Sequence, residues 1–149
     1  KNYMKKPKKI GLNQGYILKN QIVDHLKSAG HEVEDCGTHN SDSVDYPHFA
    51  KAVTTAVTET KAELGILVCG SGIGMSMAAN KVNGIRAALC FNAYMGRMTR
   101  AHNNANVLCL GERVLGSGTS LDIVDAFVNT DFEGGRHQRR IDLVTELES

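Results

Sequence analysis

A chain of 149 residues, 42% hydrophobic and 22% charged, is long enough for one domain with a real core and too apolar to be a disordered tail. Its formal net charge of +1 gives no whole-molecule attraction to nucleic acid or to a membrane surface, so any anion site has to be built locally. No apolar run approaches the length of a membrane span and no signal peptide is visible, so the expectation is one cytoplasmic domain over residues 1–149, with residues 1–7 as a flexible basic tail.

Lys8 to Leu12 reads as a first strand. Tyr16 to Ala29 reads as a helix, with Leu18, Ile22 and Leu26 on one face and Gly30 as its stop. His31 to Cys36 reads as a second strand, and the polar segment from Gly37 to Tyr46 as a loop. Asp45 and Pro47 open a helix carrying Phe49, Val53 and Val57. Leu64 to Cys69 is apolar throughout, as a strand covered on both faces should be. A glycine cluster follows, then a helix of small residues from Met75 to Val82. Ile85 to Cys90 is the fourth strand, Asn92 to Asn103 a helix, Val107 to Leu110 the fifth strand and Leu121 to Val128 a helix. After Gly134 and Gly135, a last helix from Arg136 to Glu148 carries Ile141, Val144 and Leu147 on one face, which calls for a partner surface.

This alternation predicts the α/β class: a three-layer, doubly wound, five-stranded parallel sheet of Rossmann-like kind. Ligands in such folds bind at the carboxyl ends of the strands, near a topological switch point. That rule selects the loops after strands one, three and four.

Cys36, Cys69, Cys90 and Cys109 are even in number, so a disulfide framework has to be weighed. Three of them sit at or near the ends of Val/Leu/Ile runs, as buried reduced thiols do, and the disulfide reading is rejected. No Cys-x-x-Cys or His-x-x-x-His spacing occurs, so neither a structural zinc site nor another metal is expected.

Cys69-Gly70-Ser71-Gly72-Ile73-Gly74 lies where a strand gives way to a helix. Glycines let backbone amides crowd an anion, and the helix adds its positive end. The spacing fits neither a dinucleotide fingerprint, nor a P-loop, nor a Gly-x-Ser-x-Gly elbow, since Met75, Met77 and Cys69 occupy the positions those motifs need. By itself the cluster also reads as a tight turn packed by small residues. Cys69 adds chemistry: a thiol beside a helix amino terminus can have its pKa lowered from about 8.5 toward neutrality. Its thiolate could then take a proton from carbon. Cys36, Cys90 and Cys109 are expected to be structural thiols.

His102-Asn103, followed by Asn106, could shuttle a proton and bind sugar hydroxyls, but taken alone reads better as a pair that ends a helix and caps its carbonyls. Arg136 and Arg140 are four apart on one helical face, which suits a phosphate. Arg139 and His137 lie off that face and fit a solvated basic turn. His25, His31, His39 and His48 stand in surface-like contexts with no assigned role.

Several segments together carry a resemblance: Asp45-Tyr46-Pro47, the Cys69–Gly74 cluster, Ala78-Ala79-Asn80-Lys81, Gly84-Ile85-Arg86-Ala87, His102-Asn103-Asn104-Ala105-Asn106 and Gly134-Gly135-Arg136-His137. In this order and spacing the chain, from Lys8 to Glu146, resembles the type B ribose-5-phosphate isomerases, whose superfamily also holds galactose-6-phosphate isomerase subunits. The resemblance implies a cofactor-free aldose–ketose isomerase acting on ribose 5-phosphate and ribulose 5-phosphate. It also implies a homodimer or dimer of dimers with sites shared between subunits, the last helix packing on a neighbour. In this alignment Cys69 matches the base, Ser71 the hydroxyl that assists proton movement, His102 the ring-opening group and Asn103 a sugar contact. Arg136 and Arg140 match the phosphate clamp, with Arg113 a candidate contributor; the amides of Gly70, Gly72 and Gly74 are the cradle expected from the glycine cluster itself. With Cys69 and Met75, where some members have glycine and glutamate, the chain resembles the cysteine-base branch. The other expectations weighed are a six-carbon sugar-phosphate isomerase and a sugar-phosphate-binding module without chemistry.

One segment departs from that pattern. Family members follow strand one with Ser/Cys-Asp-His-x-Gly-Tyr/Phe, whereas this chain reads Leu12-Asn13-Gln14-Gly15-Tyr16, with about three residues fewer and no aspartate or histidine. The expectation is an interruption of the backbone between Leu12 and Gly15.

Overall fold

The structure, a computed structural model, describes residues 8–13, 16–36 and 45–149. Among these the elements run β1 (Lys9–Asn13), α1 (Tyr16–Ser28), β2 (Glu32–Asp35), α2 (Tyr46–Thr58), β3 (Leu64–Cys69) and α3 (Ile73–Ala79), then β4 (Ala87–Leu89), α4 (Ala93–Ala101), β5 (Val107–Gly111), α5 (Ser117–Asn129) and α6 (Arg136–Thr145). Every strand pairing is parallel, and the sheet order is β2-β1-β3-β5-β4. No helix among the described residues is long and apolar enough to cross a membrane.

The period-two alternation of the strands divides the core into two layers. Ile66 and Val68 of β3, with Leu108 and Leu110 of β5, face Leu18, Ile22 and Leu26 of α1 and Ile123 and Phe127 of α5. Leu67, Val107 and Cys109 face the other way, against Val53 of α2 and Met75 and Ala79 of α3. Helices therefore cover both faces, which is why β3 can be apolar at every position. One close approach depends on a glycine: a Cβ on Gly65 would lie 2.5 Å from Val53 Cγ1, so α2 could not seat at this depth over any larger residue.

The order explains where a site can form. From β1 the chain moves to β2 on one side, and from β3 it moves toward β5 and β4 on the other. The switch point is the crevice between the carboxyl ends of β1 and β3. The sequence reading selected the loops after strands one, three and four. The structure puts β5 between β3 and β4, so the loop after β5 adjoins the β3 loop directly.

Several boundaries shift for identifiable reasons. α5 opens at Ser117, four residues before Leu121, because its first turn holds small residues without apolar periodicity; buried Ser120 closes it by donating to the Gly116 carbonyl at 3.0 Å. α3 opens at Ile73 behind Gly72, whose φ of 80° is the left-handed conformation that glycine adopts most readily. His31 does not sit at the surface as expected. It is 5% exposed, its Nδ1 accepts from the Lys8 backbone N–H at 3.1 Å, and burial and the nearby Lys8 charge hold its pKa down. His25 pairs with Asp125 at 2.7 Å, whereas His39 lies outside the described residues. Leu12 and Asn13 are successive residues of β1, and the rest of the expected interruption, at Gln14 and Gly15, lies outside the described residues. So do residues 1–7, read as a flexible tail.

Candidate active site

The glycine cluster makes a turn at the carboxyl end of β3 whose amides are pointed by local sequence. Cys69 ends the strand half-buried, and the Gly72 N–H donates to its Sγ at 3.1 Å. The Ser71 hydroxyl accepts from the Ile73 N–H at 3.2 Å, across the first turn of α3. The loop after β5 locks this turn from beside: Glu112 donates its N–H to the Cys69 carbonyl at 2.8 Å, and Arg113 donates its own to the Gly70 carbonyl at 3.0 Å. A Cβ on Gly111 would fall 2.5 Å from the Ser71 carbonyl oxygen, so the two loops touch backbone to backbone.

Two side chains close over the glycines. Arg113 lies on Gly70, where a Cβ would be 3.5 Å from its Cδ and 3.6 Å from its Nε and Nη1. Tyr46, at the start of α2, lies on Gly74, where a Cβ would be 2.8 Å from its hydroxyl. The cradle thus offers a thiol, a hydroxyl, backbone amides, a guanidinium and a phenol around one strand end. Burial pushes the Cys90 thiol up to about 11 and Cys109 higher still, and burial together with Glu34 raises Cys36. Cys90 and Cys109 are buried structural thiols.

The other candidates gather elsewhere. His102 is the C-cap of α4, and its ring stacks on His137 with centroids 4.2 Å apart and planes 13° from parallel. Glu133 stands beside both, its Oε1 3.5 Å from His102 Nε2 and 3.7 Å from His137 Nε2. The Glu133 N–H donates to the Ala101 carbonyl at 3.0 Å, which fastens the approach to α6 onto the end of α4. Loss of solvent around the ring, then the neighbouring His102 and the Arg136 guanidinium, lower the pKa of His137. Asn103, Arg136 and Arg140 are exposed around this cluster. Asn106 is not free for a sugar: its Oδ1 accepts from the Arg86 N–H and its Nδ2 donates to the Gly84 carbonyl, both at 2.8 Å.

These two groups lie at opposite ends of the sheet. Cys69 pairs with Gly111 at the carboxyl end of β5, whereas His102 to Asn106 lead into its first residue, Val107. The five residues of β5 put about 13 Å between those ends. One chain therefore brings Cys69, Ser71, Gly70, Gly72, Gly74 and Arg113 together, and separately His102, Asn103, Arg136 and Arg140. It does not bring the two sets to each other.

The ribose/galactose isomerase family model matches residues 11–144. The chain belongs to that family. It is 48% identical over 134 residues to ribose-5-phosphate isomerase B of Escherichia coli, covering 90% of each chain. Among solved structures it resembles ribose-5-phosphate isomerase B of Clostridium thermocellum with a TM-score of 0.91 at 52% identity, covering 93% of this chain and 96% of that one. It also resembles the Mycoplasma genitalium enzyme, solved with ribulose 5-phosphate bound, with a TM-score of 0.88 at 43% identity over 93% and 94% of the two chains.

For this member of the isomerase family the structure corrects the reading of His137, as it does those of His31 and Asn106, and adds two residues. His137 is not a solvated member of a basic turn; it is 9% exposed and packed on His102. Glu133 was missed, though its spacing of four from His137 was a usable signal. The place of Tyr46 over Gly74 is not legible in sequence, because nothing there shows that α2 begins beside that glycine.

Proposed function

We propose that this isomerase family member interconverts ribose 5-phosphate and ribulose 5-phosphate, in sites each assembled from the cradle of one subunit and the histidine–arginine cluster of another. The observation that carries the reading is Cys69, held at the switch-point end of β3 within a glycine turn that presents Ser71 and lies under Arg113. The relatives named ribose-5-phosphate isomerase B, and the ribulose 5-phosphate bound to one of them, support the substrate. Exposed Leu143 and Val144 on α6 and Leu147 just beyond it, with Ile73, Met77 and Tyr94 near the cradle, supply apolar surface for a subunit contact.

In this mechanism Arg136 and Arg140 hold the phosphate by charge-assisted hydrogen bonds. His102 opens the furanose by passing a proton to the ring oxygen as the C1–ring oxygen bond breaks and the C1 hydroxyl releases its own proton to water, and Asn103 holds a hydroxyl. The Cys69 thiolate takes the proton from C2, the carbonyl oxygen at C1 gathers negative charge, and the amides of the glycine turn face that charge. Ser71 moves a proton between the two hydroxyl oxygens. Return of the proton to C1 completes the ketose, and no electrons leave the substrate.

Isomerisation in deuterated water tests the reading. Deuterium is expected to enter the carbon-bound positions of the pentose phosphates, faster than in any six-carbon sugar phosphate. Binding of ribulose 5-phosphate without exchange would show a binding module instead, and faster exchange with galactose 6-phosphate would move the substrate to the six-carbon class.

A second prediction separates ring opening from proton transfer. Ribulose 5-phosphate cannot close to a furanose, because its C5 oxygen carries the phosphate, so only the aldose direction needs a ring opened. His102→Asn is expected to slow conversion of ribose 5-phosphate by about 10²-fold while reducing conversion of ribulose 5-phosphate much less. Equal losses in both directions, measured as initial rates, would remove His102 from ring opening.

A further inference from the structure

His102, Glu133 and His137 come from three separate segments: the cap of α4, the connection after α5 and the first turn of α6. One ligand atom from each lies within 4.8 Å of the other two. The two distances to Glu133 Oε1, 3.5 and 3.7 Å, are too long for hydrogen bonds. They are close to a different requirement. A tetrahedral zinc ion with bonds of 2.0–2.1 Å keeps its ligand atoms about 3.3 Å apart. Small inward movements of the carboxylate would satisfy that spacing on two of the three edges.

We propose that His102, Glu133 and His137 form a binding site for a divalent cation of the zinc class, with two imidazoles and one carboxylate as ligands and a fourth position left to water. The side chains differ in freedom in a way that suits capture. His137 is fixed, its side chain 11% exposed, while those of His102 and Glu133 are 39% and 55% exposed and can turn toward it. The stacked rings must open from their 13° alignment so that both Nε2 lone pairs meet at one ion. Two imidazoles and a carboxylate suit zinc, cobalt and nickel, and a site of oxygen ligands alone would be needed for magnesium or calcium.

The ion would be an inhibitor. Bound to Nε2 of His102, it takes the nitrogen pair that moves the ring-oxygen proton. This consequence rests on the isomerase reading above, whereas the binding itself does not.

The test is titration of the full-length chain with cobalt(II), read by visible absorption, followed by displacement with zinc. One equivalent is expected to produce the intense bands of a tetrahedral nitrogen–oxygen site without a sulfur charge-transfer band. Glu133→Gln, at an exposed side chain, and His137→Gln are each expected to weaken binding by about tenfold or more. Zinc is expected to suppress isomerisation of ribose 5-phosphate in step with occupancy, with recovery on chelation. Unchanged cobalt spectra in Glu133→Gln would overturn the site, even if His137→Gln failed to fold. So would a sulfur charge-transfer band abolished by Cys69→Ala, which would place the metal on the thiol. Cobalt bound at these three residues with full isomerase activity would keep the site and count against the ring-opening role of His102.

Discussion

Cys69→Ala is expected to lower isomerase turnover by about 10³-fold or more in both directions, with ribulose 5-phosphate still bound and the fold intact. Both halves of that expectation come from the geometry. Abstraction of a carbon-bound proton needs a base at the end of β3, and among the described residues the Cys69 thiol is the titratable group whose sulfur receives a cradle amide, the Gly72 N–H. Arg136 and Arg140, the proposed phosphate clamp, are on another element and are untouched by the substitution. The mutation removes one sulfur atom from a half-buried position and one N–H···S contact, which is a small structural loss. Cys69→Ser provides the matching control. Its hydroxyl fills the same place but is a far weaker base, so its rate should stay near that of the alanine variant. Initial rates in both directions, calorimetric binding of ribulose 5-phosphate and circular dichroism check the three parts. Near-wild-type turnover in either variant would take the base away from Cys69.

Sequence patterns reveal what is local. Leu64 to Cys69 is read with its final boundaries because six apolar residues ending at a glycine turn leave little choice, and Arg136 is placed at the start of α6 because Gly134 and Gly135 precede it. Five strands alternating with helices likewise imply the parallel sheet. What stays hidden is contact between distant segments. That β5 pairs with β3, bringing Arg113 over Gly70, depends on strand order rather than on any residue near position 113. That Gly65 yields to Val53 depends on the depth at which α2 packs. His137 looks solvated because its neighbours are Arg136, Gln138, Arg139 and Arg140, yet it turns inward onto His102, which comes from another helix. The roles of His102 and Ser71 come from the resemblance; by type and spacing alone His102 reads better as a helix cap.

Mixing two inactive variants should restore activity, and this follows from the separation of the two clusters. Cys69 and His102 lie at opposite ends of the sheet, with about 13 Å of β5 between those ends, so a site containing both takes one from each of two chains. In a symmetric dimer each chain lends its cradle to one site and its histidine–arginine cluster to the other. Cys69→Ala homodimers then have two sites without a base, and Arg136→Ala/Arg140→Ala homodimers have two sites without a phosphate clamp. A mixed dimer has one site with both defects and one site with neither. Random reassortment makes half of the dimers mixed, and one of their two sites is whole, so the mixture should reach about a quarter of wild-type activity from components that are each nearly inactive. The measurement is the initial rate after the two variants are unfolded together and refolded, compared with each refolded alone. Activity in the mixture no higher than the mean of its components would mean that each site is built within one chain, and the cradle and the histidine–arginine cluster would then need separate functions. Restoration to about a quarter would assign both clusters to one shared site and explain why a chain with unpaired halves carries exposed apolar residues on α3, α4 and α6.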